Sequence, residues 1–164
     1  MPVGEPDAMT PHDPLPSTIK LAGIAWSGAV AAGVIESALS VVRILDDGGL
    51  GPGDWLGVAV RICVYAGAAA LIVGLVRGSR AARIALTVLL SVVGLASLVV
   101  PAVMEIADGS TVAAALGGGG LLGGAFLTVR VAHVVLVVVA TVAMYAPSAS
   151  SWLRASRPPA AAGS

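Results

Sequence analysis

The chain has 164 residues, 57% of them hydrophobic and 11% charged, and its Lys and Arg balance its Asp and Glu to a formal net charge of zero. A soluble domain carries about 25% charged residues, so there are too few charges here to solvate a compact surface of this size. Zero net charge removes the basic footprint of a nucleic-acid binder. A single cysteine, Cys63, excludes both an internal disulfide and a CxxC redox pair.

The first 17 residues are acidic and proline-rich (Pro2, Pro6, Pro11, Pro14, Pro16) and contain no Lys or Arg. This composition predicts a disordered tail, expected on the cytoplasmic side. A secretory signal would open with a positive region and a short apolar stretch. Here the polar stretch is long and the apolar segment after it exceeds a signal core, so that segment is expected to be a retained membrane anchor.

Four apolar segments follow, at Thr18–Leu45, Trp55–Val76, Ala81–Val103 and Leu121–Ala146. Each has about 20 residues or more, enough to cross a ~30 Å hydrocarbon layer at ~1.5 Å per residue. The expected fold is all-α: one four-span helix bundle over residues 18–146, with a second tail at 147–164. The Ala, Gly, Val and Arg richness is that of a GC-rich bacterial coding sequence.

The connections differ in charge. Asp46, Asp47 and Asp54 border the first, and Glu105 and Asp108 lie in the third. The second holds Arg77, Arg80 and Arg83, the C-terminal tail holds Arg154 and Arg157, and Lys20 stands at the entrance to the first segment. Basic residues in short loops stay cytoplasmic, which predicts a plasma-membrane protein with both termini inside. Trp26, Trp55, Tyr145 and Trp152 fall where interfacial aromatic residues would sit. The third connection carries the run Gly117–Gly120 and is expected to be a mobile outer loop, with a short re-entrant segment at Thr111–Gly120 as the rival reading. Residues 148–157 are compatible with a short surface helix or with disorder.

Lipid gives no hydrophobic push between spans, so small residues decide where backbones approach. Ala25, Ala29, Gly33 and Ser37 recur every four positions in the first span. Ala66, Ala70, Gly74 and Gly78 do so in the second. These two spans are therefore expected to pair, unless one ladder serves a second copy of the chain. Pro101 in the third span removes a backbone donor to Ser97 and predicts a kink there.

Glu36, Arg61, Arg130 and His133 are ionisable side chains inside the predicted spans, where such residues normally face protein or water. Counted from the outer ends at ~1.5 Å per residue, Glu36, Arg61 and Arg130 lie roughly 9–14 Å deep. Ser97 falls near the same level, and His133 one turn below Arg130. A buried polar cluster follows, with Glu36 as anion and the two Arg as cations, because a guanidinium can hold a carboxylate and a carbonyl together. The excess positive charge would be met by an anion, a lipid phosphate or water. Independent snorkelling of Arg61 to the headgroups and a ligand or proton site are the other readings. The only other histidine is His12, so no metal site is expected, and no cofactor.

No P-loop, nucleophile elbow, HExxH or dithiol pair is present, and an enzyme is not expected. Four short spans with Glu36 in the first are similar to the small multidrug-resistance exporters. That resemblance implies a glutamate binding drug or proton, but Arg61, Arg130, the scarcity of aromatics and the long tails depart from it. The Pro-rich tail, the four spans and the ending Met144-Tyr145-Ala146-Pro147-Ser148-Ala149-Ser150-Ser151-Trp152 together resemble small four-helix integral membrane proteins of actinobacterial type. This second resemblance implies class and location and brings no activity. The expected role is a non-catalytic accessory, scaffold or envelope-associated subunit. Its expected partners are the bilayer and either another membrane protein or a second copy.

Overall fold

The structure is a computed structural model that describes residues 15–46, 48–115 and 120–155, without the side chains at 93, 97, 98, 101, 113 and 114. The predicted N-terminal tail, most of the glycine run, the end of the C-terminal tail and the side chains of Ser97 and Pro101 thus lie outside the described residues. Those described are helical, with no strand among them. The helices are α1 (Ser17–Asp46), α2 (Pro52–Val76), α3 (Arg80–Leu86), α4 (Leu95–Ala107), α5 (Val112–Ala115), α6 (Gly120–Tyr145) and α7 (Pro147–Ala155), with a π-helical stretch at Thr87–Gly94 joining α3 to α4. Helices α1, α2 and α6 are long and apolar enough to cross a membrane.

Local chemistry explains the breaks. Pro52 opens α2, where its missing N–H costs nothing, and Asp54 accepts a hydrogen bond from the Gly51 N–H at 2.9 Å. The turn after α2 closes on Gly78 at φ +89°: its N–H donates to Leu75 and the Ser79 N–H to Gly74. This is a Schellman closure, which favours glycine because a Cβ strains a positive φ. Ser79 then caps α3 by accepting from the Ala82 N–H at 3.2 Å. The same closure, with Gly109 at φ +95°, ends α4.

The predicted third span differs most. Helical backbone runs from Arg80 to Ala107, but its middle widens to π geometry. The departure from α geometry lies at Thr87–Gly94, upstream of the expected kink at Pro101, and α4 continues through Pro101. Gly94 sits over the Leu89 carbonyl, where a Cβ would stand 3.5 Å from the oxygen.

The core is rich in alanine, with a few large side chains among it. Ala22, Ala25, Trp26 and Ala29 of α1 meet Ala68 and Leu75 of α2, Leu86 and Leu90 of the third segment, and Val137, Ala140 and Met144 of α6. Many branched aliphatics point outward: Trp26 is fully buried, while Ile24, two positions earlier, is 70% exposed. An interior of alanine beneath a surface of Ile, Leu and Val inverts the usual soluble distribution and is compatible with a membrane protein. Five Ser and Thr hydroxyls (Ser27, Ser40, Thr87, Thr128 and Thr141) donate to the carbonyl one turn back, which satisfies them without water.

Three expectations need correcting here. The main partner of α1 is α6, and α2 comes second. The α1 ladder does face helices: Ala25, Ala29 and Gly33 are buried, and a Cβ on Gly33 would stand 3.1 Å from Tyr65 of α2. The α2 ladder does not answer it, because Ala66 and Ala70 are exposed and Gly74 approaches Ala82 of α3. A Cβ on Gly28, outside the ladder, would meet Leu136 of α6 at 3.1 Å. Trp26 is a core residue rather than an interfacial one, since its face of α1 is otherwise alanine and leaves room for one large ring. Trp152 packs against the core because α7 folds back on the bundle, burying Ala149 and Leu153.

Candidate functional site

The site is built on four elements. Glu36 and Ser37 follow Gly33 on α1, Arg61 and Tyr65 are one turn apart on α2, and Arg130 and His133 are three apart on α6. The π stretch adds Leu89, Leu90 and Gly94. All line one cavity of about 550 Å³. Small Gly33 admits the Tyr65 ring against α1. The phenol donates to the Gly33 carbonyl at 2.7 Å and shares a 2.7 Å hydrogen bond with the Ser37 hydroxyl. Tyr65 thereby pins α2 to α1 at the cavity edge.

Across the cavity, Arg130 Nε donates to Glu36 Oε1 at 2.8 Å, with both side chains about three-quarters to four-fifths buried. This ion pair ties α6 to α1. A charge-assisted bond of this length, shielded from water, is stronger than a surface pair. The Arg130 guanidinium also lies 6.0 Å from the Phe126 ring centre, at the outer limit of a cation–π contact. Arg61 lines the same cavity but is exposed, and it has no ion pair among the described residues. His133 lines it too, and its Nδ1 is buried without a hydrogen-bond partner. Of the predicted cluster, Glu36, Arg130, Arg61 and His133 thus border one space, only the first two are bonded, and the Ser97 side chain is outside the description.

Family models, curated proteins and solved structures yield no match to this chain. The site is therefore read from its own geometry. One carboxylate faces two guanidinium groups, which leaves a formal excess of one positive charge. These polar groups share the lining with the aliphatic side chains of Val60, Val64, Leu89 and Leu90. Such a space suits an amphiphilic or anionic guest and offers no set of metal ligands among the described residues.

Sequence reasoning missed a second polar assembly at the other end of the bundle. Arg83, read as a loop charge, lies 4.6 Å over the Tyr145 ring and donates to the Ser150 hydroxyl at 3.2 Å and the Met144 carbonyl at 3.5 Å. The Tyr145 hydroxyl also meets Thr87 at 3.0 Å, and Thr18 meets Ser148 at 2.9 Å. These contacts gather the start of α1, α3 and the first residue of the π stretch, the end of α6 and α7 at one end. The available signal was spacing: Arg83 and Thr87 are one turn apart, so both could reach one aromatic partner.

Proposed function

We propose that the chain is a non-catalytic integral membrane protein of four spans, the third formed by Arg80–Ala107, acting through protein or lipid contacts as an accessory, scaffold or envelope-associated subunit. The observation that carries this reading is the aliphatic exterior of α1, α2 and α6 around an alanine-rich interior, a surface that lipid tolerates and water does not. The polarity of the ends supports the threading. Lys20, Arg77, Arg80, Arg83 and Arg154 fall where α1 begins and α6 ends, and Asp46, Asp54, Glu105 and Asp108 fall at the other end. Read by the positive-inside rule, this supports a plasma-membrane protein with both termini in the cytoplasm.

Co-purification of the full chain in mild detergent, read by mass spectrometry, tests the role. A reproducible stoichiometric protein or lipid companion supports it. Recovery of the chain alone in every detergent, with normal growth of a deletion strain under envelope stress, counts against it. The rival is an exporter-like transporter using Glu36, favoured by the cavity beside that carboxylate. It predicts that Glu36→Gln abolishes efflux of a cationic dye while the protein stays abundant. The subunit reading predicts no efflux to abolish.

A further inference from the structure

We propose that the cavity between α1, α2, the π stretch and α6 is a binding site for a singly charged phosphate group, held by Arg61 and by the Nη groups of Arg130. The inference deepens the membrane reading and rests on it only for the lipid as a source of the phosphate.

A guanidinium has five N–H donors. Arg130 commits Nε to Glu36, and its Nη atoms make no hydrogen bond among the described residues; Arg61 makes none at all there. Glu36 is already engaged and offsets one of the two positive charges. The other remains, on exposed Arg61 at the edge of the cavity, free to meet an anion. Planar guanidinium groups match phosphate oxygens in geometry as well as in charge. His133, one turn below Arg130, borders the same lining.

Size and shape agree with this guest. About 550 Å³ is within the ~300–1,000 Å³ range of small-molecule sites and exceeds what a bare phosphate fills. The apolar walls at Val64 and Leu90 can take the first methylenes of an acyl chain. Exposed Arg61 stands where the cavity meets the surface, so a headgroup can enter from the side. The π stretch contributes Leu89, Leu90 and Gly94 to that wall; widened helices of this kind are frequent at functional sites.

The test uses the full chain purified in maltoside and stripped of lipid. Phosphatidylglycerol is titrated and followed by native mass spectrometry, and inorganic phosphate is titrated separately by calorimetry. Arg61→Leu should weaken binding about tenfold or more, as expected for losing a charge-assisted hydrogen bond. Arg61 has no hydrogen-bond or ion-pair partner among the described residues, and R61Q substitutes if R61L does not stay monodisperse. Arg61-dependent binding of phosphatidylglycerol alone supports a lipid headgroup. Arg61-dependent binding of inorganic phosphate supports the same site filled from solution. No binding, or binding equal in wild type and variant, overturns the proposal. Alkaline carbonate extraction of native membranes tests the membrane reading separately: release of the chain would sink that reading without touching the phosphate titration.

Discussion

At the residue scale, Tyr65 and Gly33 make one device. The phenol needs a backbone carbonyl it can reach, and the missing side chain at Gly33 lets it reach one. Gly33→Leu should therefore cost about 1–3 kcal/mol through overpacking, and Tyr65→Phe about 1 kcal/mol through the lost hydrogen bond. Both are read as the midpoint of thermal unfolding in mild detergent, and a Gly33→Leu protein as stable as wild type would remove Tyr65 from the α1–α2 seam. Glu36 and Arg130 were visible in the sequence as charges inside long apolar segments, and their matching level follows from counting along two helices. Arg83 was not visible in the same way. A charge one turn inside a helix end reads equally as loop or as lining, and only the fold-back of α7 decides which.

At the element scale, the sequence announces long apolar helices well and their faces poorly. The predicted segments at Thr18–Leu45, Trp55–Val76 and Leu121–Ala146 correspond to α1, α2 and α6, because apolar length between polar breaks is a strong signal. Helices that are apolar all round carry little periodicity from which to pick a face. That is why the α2 ladder, plausible by spacing, points away from α1, and why Gly28 went unnoticed. The π stretch was equally hidden, since TVLLSVVG reads as ordinary apolar helix and the extra residue per turn is a tertiary outcome. Helix α7 offers a prediction of its own. Leu153 is buried against the bundle, so Leu153→Ala should cost about 2 kcal/mol or more and raise amide exchange over Pro147–Ala155. Unchanged exchange there would mean that Leu153 does not hold α7 to the bundle.

At the scale of the whole molecule, two polar assemblies sit in an aliphatic bundle: the Glu36–Arg130 cavity towards one end and the Arg83–Tyr145–Ser150 contacts at the other. On the four-span reading, the first lies towards the outer leaflet and the second at the cytoplasmic face. Cysteine labelling checks this orientation simply, since Cys63→Ala leaves a background without cysteine. A cysteine placed at Ser110 should react with an impermeant maleimide in intact cells, and one placed at Ser79 only after lysis; the reverse pattern would invert the threading. The central claim is the ion pair that joins α1 to α6 inside this bundle. Its most direct measurement is a double-mutant cycle on Glu36→Gln and Arg130→Gln, scored by thermal stability of the full chain in lipid nanodiscs. The account predicts that each single change destabilises and that the double variant is no worse than the poorer single one, a coupling of about 1–3 kcal/mol. Strictly additive losses would contradict it.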